Sequence, residues 1–130
     1  MPRELRHTPI SVETLVDLFK HERLKISVKY NSANLWNDDQ RAELISSVIN
    51  GYPIGQIVFR PFLDEADDDV KYEIVDGKNR VAAILDYSKR HRAHMSDVVR
   101  YDFYRYMLNI SYLYGYEDAL IEIANKLNAN

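Results

Sequence analysis

Hydrophobic spacing along the chain changes period several times, and each change marks an element. Val12, Leu15, Val16 and Phe19 repeat at the spacing of a helix's buried face, with Ser11 placed to cap it and Ile10 and Leu15 placed to staple it. A helix from about Val12 to Lys20 is expected. Leu24, Ile26 and Val28 then alternate with Lys25, Ser27 and Lys29, the period of a half-buried strand, and Tyr30 to Leu35 reads as loop. Asn37 ahead of Asp38, Asp39 and Gln40 is a capping-box pattern. It opens a second helix on Leu44, Ile45, Val48 and Ile49, which Gly51 stops and Pro53 follows.

Ile57, Val58 and Phe59 form a short strand between Gly55 and Pro61. Val70, Tyr72 and Ile74 alternate as a third strand that runs into Asp76-Gly77. An Asp-Gly pair between strands signals a hairpin, but Val81, Ala82, Ala83, Ile84, Leu85 and Tyr87 continue as a helix. The junction is therefore strand, tight turn, helix. Beyond Ser96 the apolar positions keep helical spacing among many tyrosines, with a last helix from about Tyr116 to Leu127. The pattern predicts an α+β fold: a small mixed sheet flanked by helices, with a helical C-terminal extension.

With 130 residues, 46% of them hydrophobic, the chain has the size of a single domain, with a core over about 9–88 and the helical extension over about 96–130. It has no cysteine, which removes thiol nucleophiles and Cys-based zinc sites and fits a reducing, cytoplasmic setting. No apolar run is long enough to span a membrane. The formal charge of −3 argues against holding nucleic acid by bulk charge. Five acids lie together at Asp64, Glu65, Asp67, Asp68 and Asp69, which leaves the rest of the chain mildly basic. That run lacks calcium-loop spacing and reads as a solvated connection between strands.

One junction breaks a rule that the chain otherwise keeps. Helix N-termini favour acids, and Glu13, Asp38, Asp39, Glu117 and Asp118 obey this. The helix after the third strand instead carries Lys78 and Arg80 in its first turn, with Asp76 as its expected cap. Two readings follow from the spacing. Either Asp76 caps the helix, Gly77 relieves the turn and both cations face water, or the turn binds an anion, with phosphate the obvious one.

The segment Val75-Asp76-Gly77-Lys78-Asn79-Arg80-Val81, followed by Ala82 to Leu85, resembles the signature of the ParB/sulfiredoxin-like superfamily. Trp36, Gln40-Arg41 and Leu44 to Ile54, with the strand after them, are similar to the N-terminal domain of the GmrSD-type modification-dependent restriction family. There a "W…LI.SI..G.PIP.I" segment precedes an "IDGQQR" motif. The similarity covers about Pro9 to Tyr87. It implies nucleotide binding and hydrolysis at the motif, in support of cleavage of modified foreign DNA. Asp76, Gly77 and Arg80 match; Lys78 and Asn79 replace the two glutamines. Of the family's upstream Tyr-Gln-Arg, only Tyr30 survives, with Asn31 and Ser32 in the other places. The superfamily's sulfiredoxin activity depends on a cysteine, which is absent here.

The resemblance implies a nucleoside triphosphate (NTP) with Mg²⁺ at the turn. Asp76 would hold the metal, or cap the turn, and is the candidate catalytic residue. Gly77 would let the backbone approach, Lys78 and Arg80 would clamp phosphate oxygens, and Asn79 and Tyr30 would add contacts. The setting implied is a DNA transaction such as restriction, partition or the defence and counter-defence of mobile elements, phages among them. A weak NTPase fits; a nuclease acting alone does not, since no two-metal constellation stands outside the acidic loop.

Lys89, Arg90 and Arg92, with His91 and His94, either complement a helix C-terminus or make a weak DNA contact. Tyr101, Tyr104, Tyr106, Tyr112, Tyr114 and Tyr116 are dense for a small domain. They read as core and boundary residues or as a partner surface, centred on Tyr101, Tyr104, Tyr112 and Tyr114, for a host protein or a homodimer. On that alternative the chain is a non-enzymatic adaptor or inhibitor.

Overall fold

A computed structural model describes residues 2–27, 29–30 and 35–128. In chain order the elements are β1 (Glu4–His7), β2 (Ile10–Ser11), α1 (Val12–Lys20), β3 (Leu24–Ile26), α2 (Asp38–Asn50), β4 (Gln56–Asp64), β5 (Asp69–Asp76), α3 (Lys78–His91), α4 (Asp97–Arg105), β6 (Met107–Tyr114) and α5 (Leu120–Asn128), with a 3₁₀ turn at Arg92–His94. The strands form one mixed six-stranded sheet in the order β1-β6-β4-β5-β3, with β2 also on β6. β6 is antiparallel to β1 and parallel to β4, β5 is antiparallel to β4, and β3 is parallel to β5.

Local chemistry sets most of the helix ends. Ser11 accepts from Thr14 N–H at the start of α1. Asn37 and Gln40 close a reciprocal capping box on α2, and Gly51 ends that helix in the left-handed conformation. Ser96 accepts from Val99 N–H at the start of α4. The core then divides by sheet face. Ile57, Phe59, Ile74, Leu108 and Ile110 pack with residues of α1 to α4, whereas Val58, Val75 and Leu113 pack with Tyr30 and with Leu120 and Ala124 of α5.

Four expectations are corrected. Phe19, placed on the buried face of α1, is 50% exposed. The strand expected to end at Phe59 continues through Pro61 to Asp64. Proline is tolerated there because pairing with β6 stops at Phe59, leaving that side of β4 as an edge. Within the expected helical extension, α4 and α5 are helices but Met107–Tyr114 is a strand in the middle of the sheet. The last helix starts at Leu120 rather than near Tyr116. Val28, expected in the strand after α1, lies outside the described residues, as do Asn31 to Asn34.

The acidic stretch is the β4–β5 hairpin turn, with Asp64 paired to Asp69 across it. Lys71, buried on its strand, bonds Asp64 at 2.8 Å and also Asp67, which raises the lysine's proton affinity and lowers that of Asp64.

Candidate functional site

β5 delivers Asp76 opposite Val58 of β4, and the chain then turns at Gly77 into α3. Asp76 is thus the last residue of the strand rather than the cap. Gly77 stands at the cap position with φ +101° and offers no capping side chain. A Cβ at Gly77 would lie 3.1 Å from Ile57 Cγ1 and 3.4 Å from Ile57 Cα, so glycine lets the turn press against β4 as well as adopt a left-handed backbone. The side chain of Asp76 is half-buried and has no hydrogen bond or ion pair among the described residues.

Arg80 is half-buried rather than fully solvent-facing, and it is in no salt bridge among the described residues. Its Nη1 donates to the carbonyl oxygen of Gln56 at 3.1 Å. Gly55 makes room for the guanidinium, since a Cβ there would come within 3.3 Å of Arg80 Nη2. Asn79 accepts from the Trp36 N–H at 3.3 Å and ties the segment leading into α2 to the turn. A cleft of about 500 Å³ opens beside Arg80, walled by Trp36, Pro53 and Ile54 and by Asp39, Glu43 and Ser47 along α2. The Tyr106 hydroxyl fixes that wall. It donates to the Tyr52 carbonyl at 2.6 Å and bonds the Ile54 backbone, and burial raises its proton affinity.

The structure thus brings Asp76, Gly77, Lys78, Asn79 and Arg80 to one turn, with an open cleft at its side. Tyr30 does not join them at a solvent-facing edge. Its ring is 5% exposed and packs in the cluster with Val58, Val75 and α5. Asn31 and Ser32 lie outside the described residues. Sequence reasoning passed over Gly55, Gln56 and the acids of α2 as site residues. No spacing marked them, since Gln56 and Gly55 meet Arg80 only across the fold and the acids of α2 meet it only in the cleft.

The basic end of α3 is largely engaged. Arg90 pairs with Asp86 at 2.9 Å, the Arg92 guanidinium lies 4.8 Å from the Tyr104 ring centre, and His91 stacks on Tyr87. Lys89 remains exposed in the groove with Phe19 and Lys20.

The tyrosines do not share one face. Tyr104, expected on a partner surface, is 7% exposed, and its hydroxyl meets Ser88 Oγ at 2.7 Å. Tyr112 packs edge-on against Phe59 and Tyr72, and burial pushes its pKa up to about 12. Tyr114 is half-buried beside it, with Arg6 over its ring. Tyr101 is 64% exposed on α4.

Among the described residues no group of three or more His, Cys, Asp or Glu side chains is placed to hold a metal. A magnesium ion carried by phosphates needs only one or two carboxylates, a requirement Asp76 meets. Among them, too, no helix is long and apolar enough to cross a membrane.

Residues 17–129 match the family described as GmrSD restriction endonuclease, N-terminal domain. The fold is similar to that of the C-terminally truncated chromosome-partitioning protein ParB from Caulobacter crescentus, complexed with CTP-gamma-S. The TM-score is 0.55 at 17% identity, over 95% of this chain and 52% of that one, so this chain spans about half the length of the protein it matches. No curated protein matches.

Proposed function

We propose, for a chain that belongs to the GmrSD restriction endonuclease N-terminal domain family, that the turn from Asp76 to Arg80 binds the phosphates of a nucleoside triphosphate. One observation carries the reading. α1, α2 and α4 each have a side-chain cap and an acid in the first turn, whereas α3 begins at Gly77 with no side-chain cap and no acid, and with Lys78 and Arg80 in its first turn. The partial positive charge of that helix end and the two cations favour one negative group.

Arg80 is oriented for this by the Gln56 carbonyl and by the space over Gly55. Lys78 adds a second positive charge, and Asn79 fixes Trp36 beside the cleft. Asp76 would hold Mg²⁺ carried in with the nucleotide, and the ion would neutralise phosphate charge. The similarity to a ParB structure complexed with CTP-gamma-S supports a nucleotide as ligand. The setting that fits is a DNA transaction such as restriction, partition or mobile-element defence, with any DNA contact weak and resting on Lys89, Arg90 and Arg92.

A thermal-shift series with nucleoside triphosphates, with and without Mg²⁺, tests the reading. Ligand at a hundred times its dissociation constant stabilises by about 2.7 kcal/mol. No shift with any nucleotide at millimolar concentration overturns it. The adaptor reading rests instead on the outer face of α4, where Val98 and Tyr101 are exposed one helical turn apart. It predicts a protein partner lost on Tyr101→Ala and no nucleotide shift.

A further inference from the structure

α1 and the C-terminal half of α3 leave a groove of about 550 Å³ between them. Its lining follows helical spacing on both sides. Val16, Phe19 and Lys20 come from one face of α1; Leu85, Ser88, Lys89 and Arg92 come from one face of α3 and the 3₁₀ turn after it. Phe19 is the residue that the fold leaves uncovered. It belongs to the apolar side of α1 with the buried Val12, Leu15 and Val16, yet it is 50% exposed.

The polar groups of the groove divide into engaged and free. Ser88 is buried, with its hydroxyl on that of Tyr104, and Asp86, the acid among the lining residues, is paired with Arg90 at 2.9 Å. The cations differ. Lys20 and Lys89 are exposed and in no salt bridge among the described residues, and Arg92, whose guanidinium lies over the Tyr104 ring, keeps its charge at the exposed rim. A chain with a formal charge of −3 thus surrounds its uncovered phenylalanine with an excess of positive charge.

Those two features together decide the occupant. The phosphates of a nucleic acid would meet the cations but leave the open side of Phe19 in water, whereas an acidic peptide with a bulky apolar side chain satisfies both. We infer that the α1–α3 groove docks an acidic segment of a partner protein, with an apolar side chain seated against Phe19 and Leu85 and carboxylates meeting Lys20, Lys89 and Arg92. The inference is independent of the phosphate reading, since the groove shares no residue with the turn from Asp76 to Arg80.

Panning a displayed library of short random peptides on the whole chain, followed by titration of the selected peptides, tests this. Acidic peptides that carry a leucine or an aromatic residue are expected to be enriched. Phe19→Ala and Lys89→Glu, both at exposed positions, are expected to weaken them about tenfold each, the scale of a moderate interface contact. Replacing a peptide carboxylate with lysine is expected to restore affinity for Lys89→Glu. Native-like melting temperatures show that the variants fold, and Lys20→Glu supplies a second charge reversal on the opposite wall. No enrichment, enrichment without an acidic bias, or binding that survives the substitutions overturns the inference. A DNA oligomer that binds more tightly than the selected peptides and is indifferent to Phe19→Ala overturns it in favour of nucleic acid. Sedimentation of the chain alone as a dimer that Phe19→Ala dissociates overturns it in favour of a second copy.

Discussion

Arg80 Nη1 and the carbonyl oxygen of Gln56 lie 3.1 Å apart, so a helix side chain is anchored to the start of a neighbouring strand. The acceptor is a neutral carbonyl rather than a carboxylate, so the guanidinium keeps its charge for a ligand. Arg80→Ala is expected to lower nucleotide affinity by about ten- to a hundredfold, the range for hydrogen bonds to charged groups. Arg80→Lys is expected to recover only part of it, because an ammonium cannot make the same two-point contact. Titration calorimetry beside a melting curve separates lost binding from lost fold.

Gly77→Ala is expected to destabilise the domain by about 1–3 kcal/mol, since it adds a Cβ at a left-handed position pressed on Ile57. Chemical denaturation measures the loss. A neutral result would show that the turn has room to relax away from β4.

Tyr104→Phe removes the partner of a buried serine hydroxyl, at a cost of about 1–2 kcal/mol. Ser88→Ala has the same origin. The double variant is therefore expected to lose less than the sum of the two, and a double-mutant cycle checks it. Full additivity would mean that the two hydroxyls do not depend on each other.

Two titrations bound the stable pH range. Burial raises the Tyr112 pKa from 10.0 to about 12, so the folded state holds this proton more strongly than the unfolded chain. The stabilisation is complete below about pH 10 and is lost as pH rises towards 12. Tyr112→Phe is expected to remove that loss in alkaline melts monitored with tyrosinate absorbance. Asp64 moves the other way: the Lys71 hydrogen bond, then the Ala66 N–H, lowers its pKa below 3.8. Its contribution is present above that value and disappears as pH falls through the lower folded value. Asp64→Asn is expected to flatten the acid limb.

Elements whose signals are local were legible in the sequence. Ser11, Asn37, Gly51 and Ser96 act within a turn of themselves, and the α1 and α2 boundaries followed from three of them. β6 was hidden for a physical reason. Its buried apolar positions change face along the strand, Leu108 and Ile110 packing on one side of the sheet and Leu113 on the other, so their spacing of two and then three also fits a helix. β1 gave no signal because each of its four residues is exposed at the edge of the sheet. At the site, the motif Asp76 to Arg80 was readable. Its supports were not, since Gln56, Gly55 and the Tyr106 hydroxyl act across the fold, where no sequence spacing reports them.

The insertion of β6 between β1 and β4 also bears on how the protein is made. Synthesis proceeds from the N-terminus, so α1, α2 and α3 leave the ribosome before the strand that completes the surface beneath them. Until Tyr114 is out, β1 has no neighbour and β4 presents an open edge to other chains. A product cut short within α4 would carry the whole turn from Asp76 to Arg80 and still lack the strand that joins β1 to β4. Premature termination there is expected to yield an aggregating fragment rather than a smaller working domain.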